Sequence, residues 1–227
     1  MPGNSTDRKT RILDSASHLF VYYGYDKTTV SDIAREAGVS KGAIYLHFRS
    51  KDELLEALII RETRTYAMQW LELIEDDPRG GTIGGMYRNM LYALNSSPFM
   101  AAMLKRDGRI LGNYLRKPNN FFRQDQYRGL RREFLEIMQE QGIIRKEIDP
   151  QVLAHIINML AFGLISMDDI IPPEEIPPVE DTIQGIADMM DRALSPPAGS
   201  DSDKGKAILK AFIARRQEQE ANHENIH

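Results

Sequence analysis

Apolar residues in this chain recur at steps of three and four, and no segment alternates with a period of two. That spacing places side chains on one face of a helix and leaves nothing to line one face of a sheet, so it predicts an all-α protein. Ile12, Ala16, Leu19, Phe20 and Tyr23 form one such face on a helix that Gly24 ends. Val30–Ala37 predicts a short helix with Thr29 as N-cap and Asp32 three residues on; Gly38-Val39-Ser40 breaks it and a second short helix runs Lys41–Phe48. Ser50 with Glu53 forms a capping-box pattern that opens a long helix through Leu54, Leu55 and Leu58 to about residue 73.

Past Pro78-Arg79-Gly80-Gly81 the stripe resumes at Ile83, Tyr87, Met90, Leu91 and Leu94. Ser97-Pro98 and Asp149-Pro150 each pair a cap with proline at the first helical position. Leu130, Phe134, Ile137 and Met138 mark a helix that Gly142 stops. The helix at 150–169 is the most apolar, and Ile183, Ile186, Ala187, Met190 and Leu194 define one at 180–194. A polar linker after Pro197 leads to a short amphipathic stretch at 203–216, with Ile208, Leu209, Phe212 and Ile213 expected to pack on the body and a frayed end from Gln217. The organisation predicted is 8–53, 54–196 and 197–227.

Composition removes several classes of function. With no cysteine the chain has no disulfide, thiolate metal site or thiol sensor. Met1–Arg11 is polar without an apolar core, so no secretory signal is expected, and the apolar run at 152–167 is too short and too interrupted to span a membrane. A cytoplasmic protein is the expectation. The net charge of −4 hides an asymmetry: residues 1–51 carry 8 basic and 5 acidic residues, while the remaining 176 carry a net −7. A basic head on an acidic body points to an anionic partner for the head.

Residues 30–48 are the most informative. Ala34 is small where two short helices would cross, Gly38 can take the left-handed conformation of a sharp reversal, and Ile33, Val39 and Ile44 fill the space between them. This is the pattern of a helix-turn-helix, whose second helix enters the major groove. The outward residues of that helix, Ser40, Lys41, Gly42, Ala43, Tyr45 and His47, are small, polar or hydrogen-bonding, Leu46 being the apolar exception. The same spacing also serves an ordinary αα-corner.

The run Thr28-Thr29-Val30-Ser31-Asp32-Ile33-Ala34, then Gly38 through Phe48, then Lys51-Asp52-Glu53-Leu54-Leu55, resembles the TetR family of bacterial transcriptional regulators over residues 8–60. The body resembles the family's variable ligand-binding half much more weakly, and the tail after Pro197 departs from the pattern. The resemblance implies an N-terminal three-helix DNA-binding domain followed by a helical ligand-binding and dimerisation domain. Carried across, Ser40, Lys41, Gly42, Ala43, Tyr45 and His47 face DNA, Tyr45 and His47 chiefly at phosphates, and Lys41 toward a guanine edge. Thr29 and Ser31 hold flanking phosphates, and Lys51 binds one through its side chain or backbone N–H.

A single motif reads too short a site for a genome, so a homodimer on a palindromic operator is expected. The resemblance implies that the helices at 150–169 and 180–194 pair with their counterparts; burial of the first wholly within one chain is the other reading. By the same analogy the remaining helices enclose a small, largely apolar effector, with Trp70, Met86, Met90, Met100, Met103, Tyr127, His155, Asn158, Met159 and Phe162 as lining residues; each also fits an ordinary core or interface position. Effector binding is then expected to swing the two heads apart and relieve repression.

His223-Glu224-Asn225-Ile226-His227 matches H-E-x-x-H, but zinc chemistry needs a buried helix, a third ligand and a cleft, which this polar stretch does not offer. No P-loop, dinucleotide fingerprint or G-x-S-x-G occurs, so no enzyme, cofactor or metal is expected. A protein of the same fold acting as an interaction or DNA-organising factor without ligand control is the alternative function.

Overall fold

The computed structural model describes residues 5–123, 130–167 and 170–224, and among them there are helices and turns but no strand. The α-helices are α1 (Ser5–Tyr23), α2 (Val30–Glu36), α3 (Lys41–Tyr45), α4 (Lys51–Asp76), α5 (Ile83–Asn95), α6 (Pro98–Lys105), α7 (Gly108–Leu111), α8 (Leu130–Glu140), α9 (Pro150–Ser166), α10 (Val179–Leu194) and α11 (Ser202–Glu224). They form two compact units, the first drawn from Met1–Thr65 and Ser97–Arg128, the second from Tyr66–Ser96 and Gly129–His227.

The first unit is built around one apolar cluster. Ile12, Ala16, Leu19 and Phe20 of α1 meet Ile33 and Ala34 of α2, Ile44 of α3 and Leu54, Leu55, Leu58 and Ile59 of α4. Phe99, Met103, Leu111 and Tyr114 complete it, so this unit extends past residue 53, where the sequence reading placed its edge. The reason is burial: four apolar residues of α4 beyond residue 53, with α6 and α7, cover what three short helices cannot bury among themselves. Helix α7 and the 3-10 turns at Gly112–Arg116 and Phe121–Arg123 carry no periodic signature. They are held by backbone instead: Tyr25 N–H donates to Ile110 O (2.7 Å) and Asn113 N–H donates to Asp26 (3.1 Å).

In the second unit α5 packs on α10 and α8 on α9, with α11 against α8. Asp191 of α10 stitches the first pair, accepting from Gly84 N–H (2.7 Å), Thr82 Oγ1 (3.1 Å) and the Arg79 guanidinium. The approach is close because position 84 is glycine: a Cβ there would stand 2.3 Å from Ala187 O. Helix α11 runs to Glu224, so the frayed end expected from Gln217 is instead helical. Glu133 of α8 takes both Arg215 and Arg216, Phe134 and Phe212 pack with ring centres 5.1 Å apart, and Leu209 and Ile213 are buried. The expected stretch at 203–216 is therefore part of a longer helix whose partners lie 78 to 83 residues upstream.

Candidate functional site

Helices α2 and α3 are defined by their caps. Asp32 N–H donates to Thr29 Oγ1 (3.2 Å) while Thr29 N–H donates to Asp32 Oδ2 (3.0 Å), a reciprocal box that opens α2. The hydrogen bonds from Thr29 hold the Asp32 carboxyl below its usual range. Gly38 takes φ +65° and Val39 N–H returns to Ala34 O (3.0 Å), making the reversal. Ser40 Oγ then accepts Ala43 N–H (3.1 Å) and α3 begins. Ile33, Ala34 and Ile44 are buried between the helices and Val39 is half-buried.

The other side of α3 is open. Ser40, Lys41, Gly42 and Tyr45 are exposed and Ala43 and His47 half-buried; Tyr45 keeps 48% of its surface and Leu46 80%. Lys41 Nζ lies 5.9 Å from the Tyr45 ring centre. A glycine and an alanine between a cation and a phenol leave backbone close enough to meet a surface, with hydrogen-bonding tips on either side. Ser31 is exposed on the first turn of α2. The hydroxyl of Thr29 is engaged with Asp32 (2.6 Å).

Of the two routes by which Lys51 is expected to reach a phosphate, side chain or backbone N–H, the side chain is engaged within the fold. Its Nζ donates to Tyr25 O (2.8 Å) and Thr28 O (3.0 Å) and lies 4.0 Å from the Tyr25 ring centre. Burial presses its ammonium below the ordinary lysine range. Lys51 is thus a clamp between the start of α4 and the turn after α1, leaving the backbone of the α4 N-terminus for any phosphate. Around it lies a polar node that sequence reasoning missed: the Tyr25 hydroxyl donates to Asp52, Lys117 pairs with Asp52, and Tyr114 donates to Glu56 (3.0 Å). Burial first, then the bond to Asp52, drives the Tyr25 hydroxyl far above its usual range. These partners lie 27 to 65 residues apart, and no local pattern announces them.

The ten residues expected to line an effector site are not brought together. Met100 and Met103 belong to the first unit, Met103 inside its core. In the second unit Met86 and Met90 are buried, and Trp70 Nε1 donates to Met86 O (2.9 Å). Tyr127 lies outside the described residues. His155, Asn158, Met159 and Phe162 stand exposed on α9, whereas Leu153, Ala154, Ile157 and Ala161 form its buried side. The exposed side is strongly apolar, with Val152, Ile156, Met159 and Phe162, and Met189 on α10 is exposed as well. A residue overlooked in the sequence is Arg131, three and four positions before the buried Phe134 and Leu135 and so on the inner stripe of α8. Of its guanidinium, Nη1 is buried without a hydrogen-bond partner, and Nη2 reaches only Met90 Sδ (4.0 Å).

Among the described residues no group of His, Asp or Glu is placed to hold a metal, and Asn225–His227 of the H-E-x-x-H match lie outside them. Nor is any helix among them long and apolar enough to cross a membrane.

Two short capped helices with a buried seam and an open second helix, joined to a helical body, define an all-α helix-turn-helix protein. Residues 12–58 match the family model described as "Bacterial regulatory proteins, tetR family". Over α1 to the first turns of α4 the chain is therefore similar to the DNA-binding domain of that family. It is 32% identical over 148 residues to the A-factor receptor protein of Streptomyces griseus, covering 64% of this chain and 49% of that protein. It is 39% identical over 109 residues to the HTH-type transcriptional repressor Rv1474c of Mycobacterium tuberculosis, covering 46% and 54%. The chain thus matches about half the length of these curated relatives. The crystal structure of a gamma-butyrolactone receptor (ArpA like protein) superposes with a TM-score of 0.55 at 20% identity, covering 95% of this chain and 98% of that one, a likeness of fold.

Proposed function

We propose that the protein is a ligand-responsive transcriptional repressor that binds a palindromic operator as a homodimer in the cytoplasm. The observation that carries the reading is the open face of α3: Lys41, Gly42, Ala43 and Tyr45 lie on a helix whose opposite side is sealed by Ile44 against Ile33. Lys41 reads a base edge, Tyr45 and His47 bond phosphates, and Ser31 with the α4 N-terminus holds the flanking backbone. Thr29 acts by fixing the entry of α2, its hydroxyl being committed to Asp32.

The exposed apolar side of α9 with Met189 of α10 is the pairing surface in this reading. Val152, Ile156, Met159 and Phe162 make one exposed apolar stripe along α9 that is costly to leave in water, and an isologous contact between two copies covers it. His155, Asn158, Met159 and Phe162 then serve the dimer rather than the effector. Trp70, Met86 and Met90 remain as effector residues, and α4, continuous from Lys51 to Asp76, supplies residues to both units. Names among the relatives, a receptor and a repressor, agree with regulation by a small molecule.

Selection from a random duplex pool tests the function. Enrichment of one inverted repeat supports it; failure to enrich any sequence overturns it, and many unrelated weak sites indicate a DNA-organising role.

A further inference from the structure

Arg131 is a permanent charge on the inner stripe of α8, and among the described residues no anion pairs with it. Burial works against its protonated form and pulls its pKa below the usual arginine range, but a guanidinium does not release its proton in a protein, so the charge stays. The groups that face it are phenols and a thioether. Tyr66 of α4 and Tyr87 of α5 act on it electrostatically, yet Tyr66 spends its hydroxyl proton on Met90 O (3.3 Å) and Tyr87 on Ile157 O (3.2 Å). Tyr87 is buried and Tyr66 half-buried, and desolvation lifts both hydroxyls well above their ordinary range, so neither ionises to supply the missing charge. The two α8 carboxylates nearest Arg131 in sequence are occupied, Glu133 by Arg215 and Arg216 and Glu136 by Arg132 (3.1 Å), and Glu140 is exposed at the far end of the helix.

A buried cation that keeps its charge and lacks a counter-ion is strongly unfavourable, and a ligand that brings the anion relieves the penalty. A single guanidinium offers two parallel N–H donors, the fork that fits one planar carboxylate. Met86, Met90 and Leu91 are buried on the neighbouring helix α5, and flexible methionine side chains can re-pack around an apolar body. We propose that the second unit binds a monoanionic amphiphile, its carboxylate paired with Arg131 and its apolar part lying among Met86, Met90 and Trp70. This rests on reading the second unit as the effector domain, and it names the class of effector.

The test uses the full-length protein without DNA, titrated calorimetrically with decanoate and with two neutral probes of the same carbon number, 1-decanol and γ-decalactone. Decanoate is expected to bind at least about thirty-fold more tightly than either. Arg131→Met should bring the three within about three-fold of one another, and Arg131→Lys should keep part of the preference. Because the methionine removes an uncompensated buried charge, the unliganded Arg131→Met protein should melt no lower than wild type. Equal binding of decanoate and the neutral probes overturns the proposal, as does a preference that survives in Arg131→Met. A marked fall in the melting temperature of that variant also overturns it, since Arg131 would then have a partner within the fold. Specific operator binding without carboxylate preference sinks this inference alone, whereas carboxylate preference without operator binding sinks the DNA-binding reading alone.

Discussion

Met159→Asp isolates the pairing surface on α9. Met159 keeps 59% of its surface exposed, so the substitution removes little packing within one copy and leaves the buried side, Leu153, Ala154, Ile157 and Ala161, intact. In a dimer the same position is covered. Fully burying a methionine is worth about 1.5–3 kcal/mol, and a little over half of that, about 1–2 kcal/mol, is gained per protomer when the exposed part is covered. Two-fold symmetry doubles the figure to about 2–4 kcal/mol, before the added cost of desolvating two carboxylates. The dimer dissociation constant should therefore rise at least about thirty-fold and up to about a thousand-fold. Sedimentation velocity across a concentration series measures it, with Met68→Asp on α4, a position equally open at 56%, as the control that stays dimeric. Helix content by circular dichroism should not change. If Met159→Asp dimerises like wild type, the pairing surface lies elsewhere and the assignment of α9 is wrong.

Two further outcomes follow from local geometry. Gly42→Ala meets only Ser40 Oγ at 3.8 Å, so it should stabilise α3 by up to about 0.5–1 kcal/mol while weakening operator affinity, measured by thermal melting and fluorescence anisotropy respectively; unchanged affinity would show that position 42 does not approach DNA. Asp52 titrates below its usual range: burial raises its pKa, but the bonds from Lys117 and Tyr25 outweigh this. Its contribution, about 1.5–3 kcal/mol for a bond to a charged group before solvent screening of the partly exposed Lys117 pair reduces it, is therefore complete above the unfolded value of about 3.9 and lost as pH falls through the lower folded value. Asp52→Asn should melt lower than wild type at pH 7, with the gap closing below about pH 4; a gap independent of pH would mean the charge of Asp52 is not what matters.

What the sequence made legible was local chemistry. Thr29 with Asp32, Ser97-Pro98 and Asp149-Pro150 each cap a helix within three residues, and each helix begins where those residues place it. The seam of α2 and α3 was readable because Ile33, Ala34, Gly38 and Ile44 lie within a dozen positions. What escaped depends on distant partners. Whether Lys51 offers a phosphate its side chain or its backbone N–H is not legible until its Nζ is seen between two carbonyls 23 and 26 residues upstream. The span of α11 follows from Glu133 and Phe134 on α8, and α7 is anchored by Tyr25 and Asp26. For His155 and Asn158 the sequence left core, interface and effector contact open, because periodicity gives the spacing of a helix's faces but does not tell which neighbour covers each; both stand exposed on α9.

The reading of α3 as the element that enters the groove is tested most directly by placing a photo-crosslinking phenylalanine at Tyr45 and irradiating the protein on its selected duplex. Crosslinks should appear at one base position in each half of the inverted repeat, related by the two-fold axis and about one helical turn apart, with none from the same probe at Met68. Crosslinks from Met68 with none from Tyr45 would place another surface on the DNA and contradict the account.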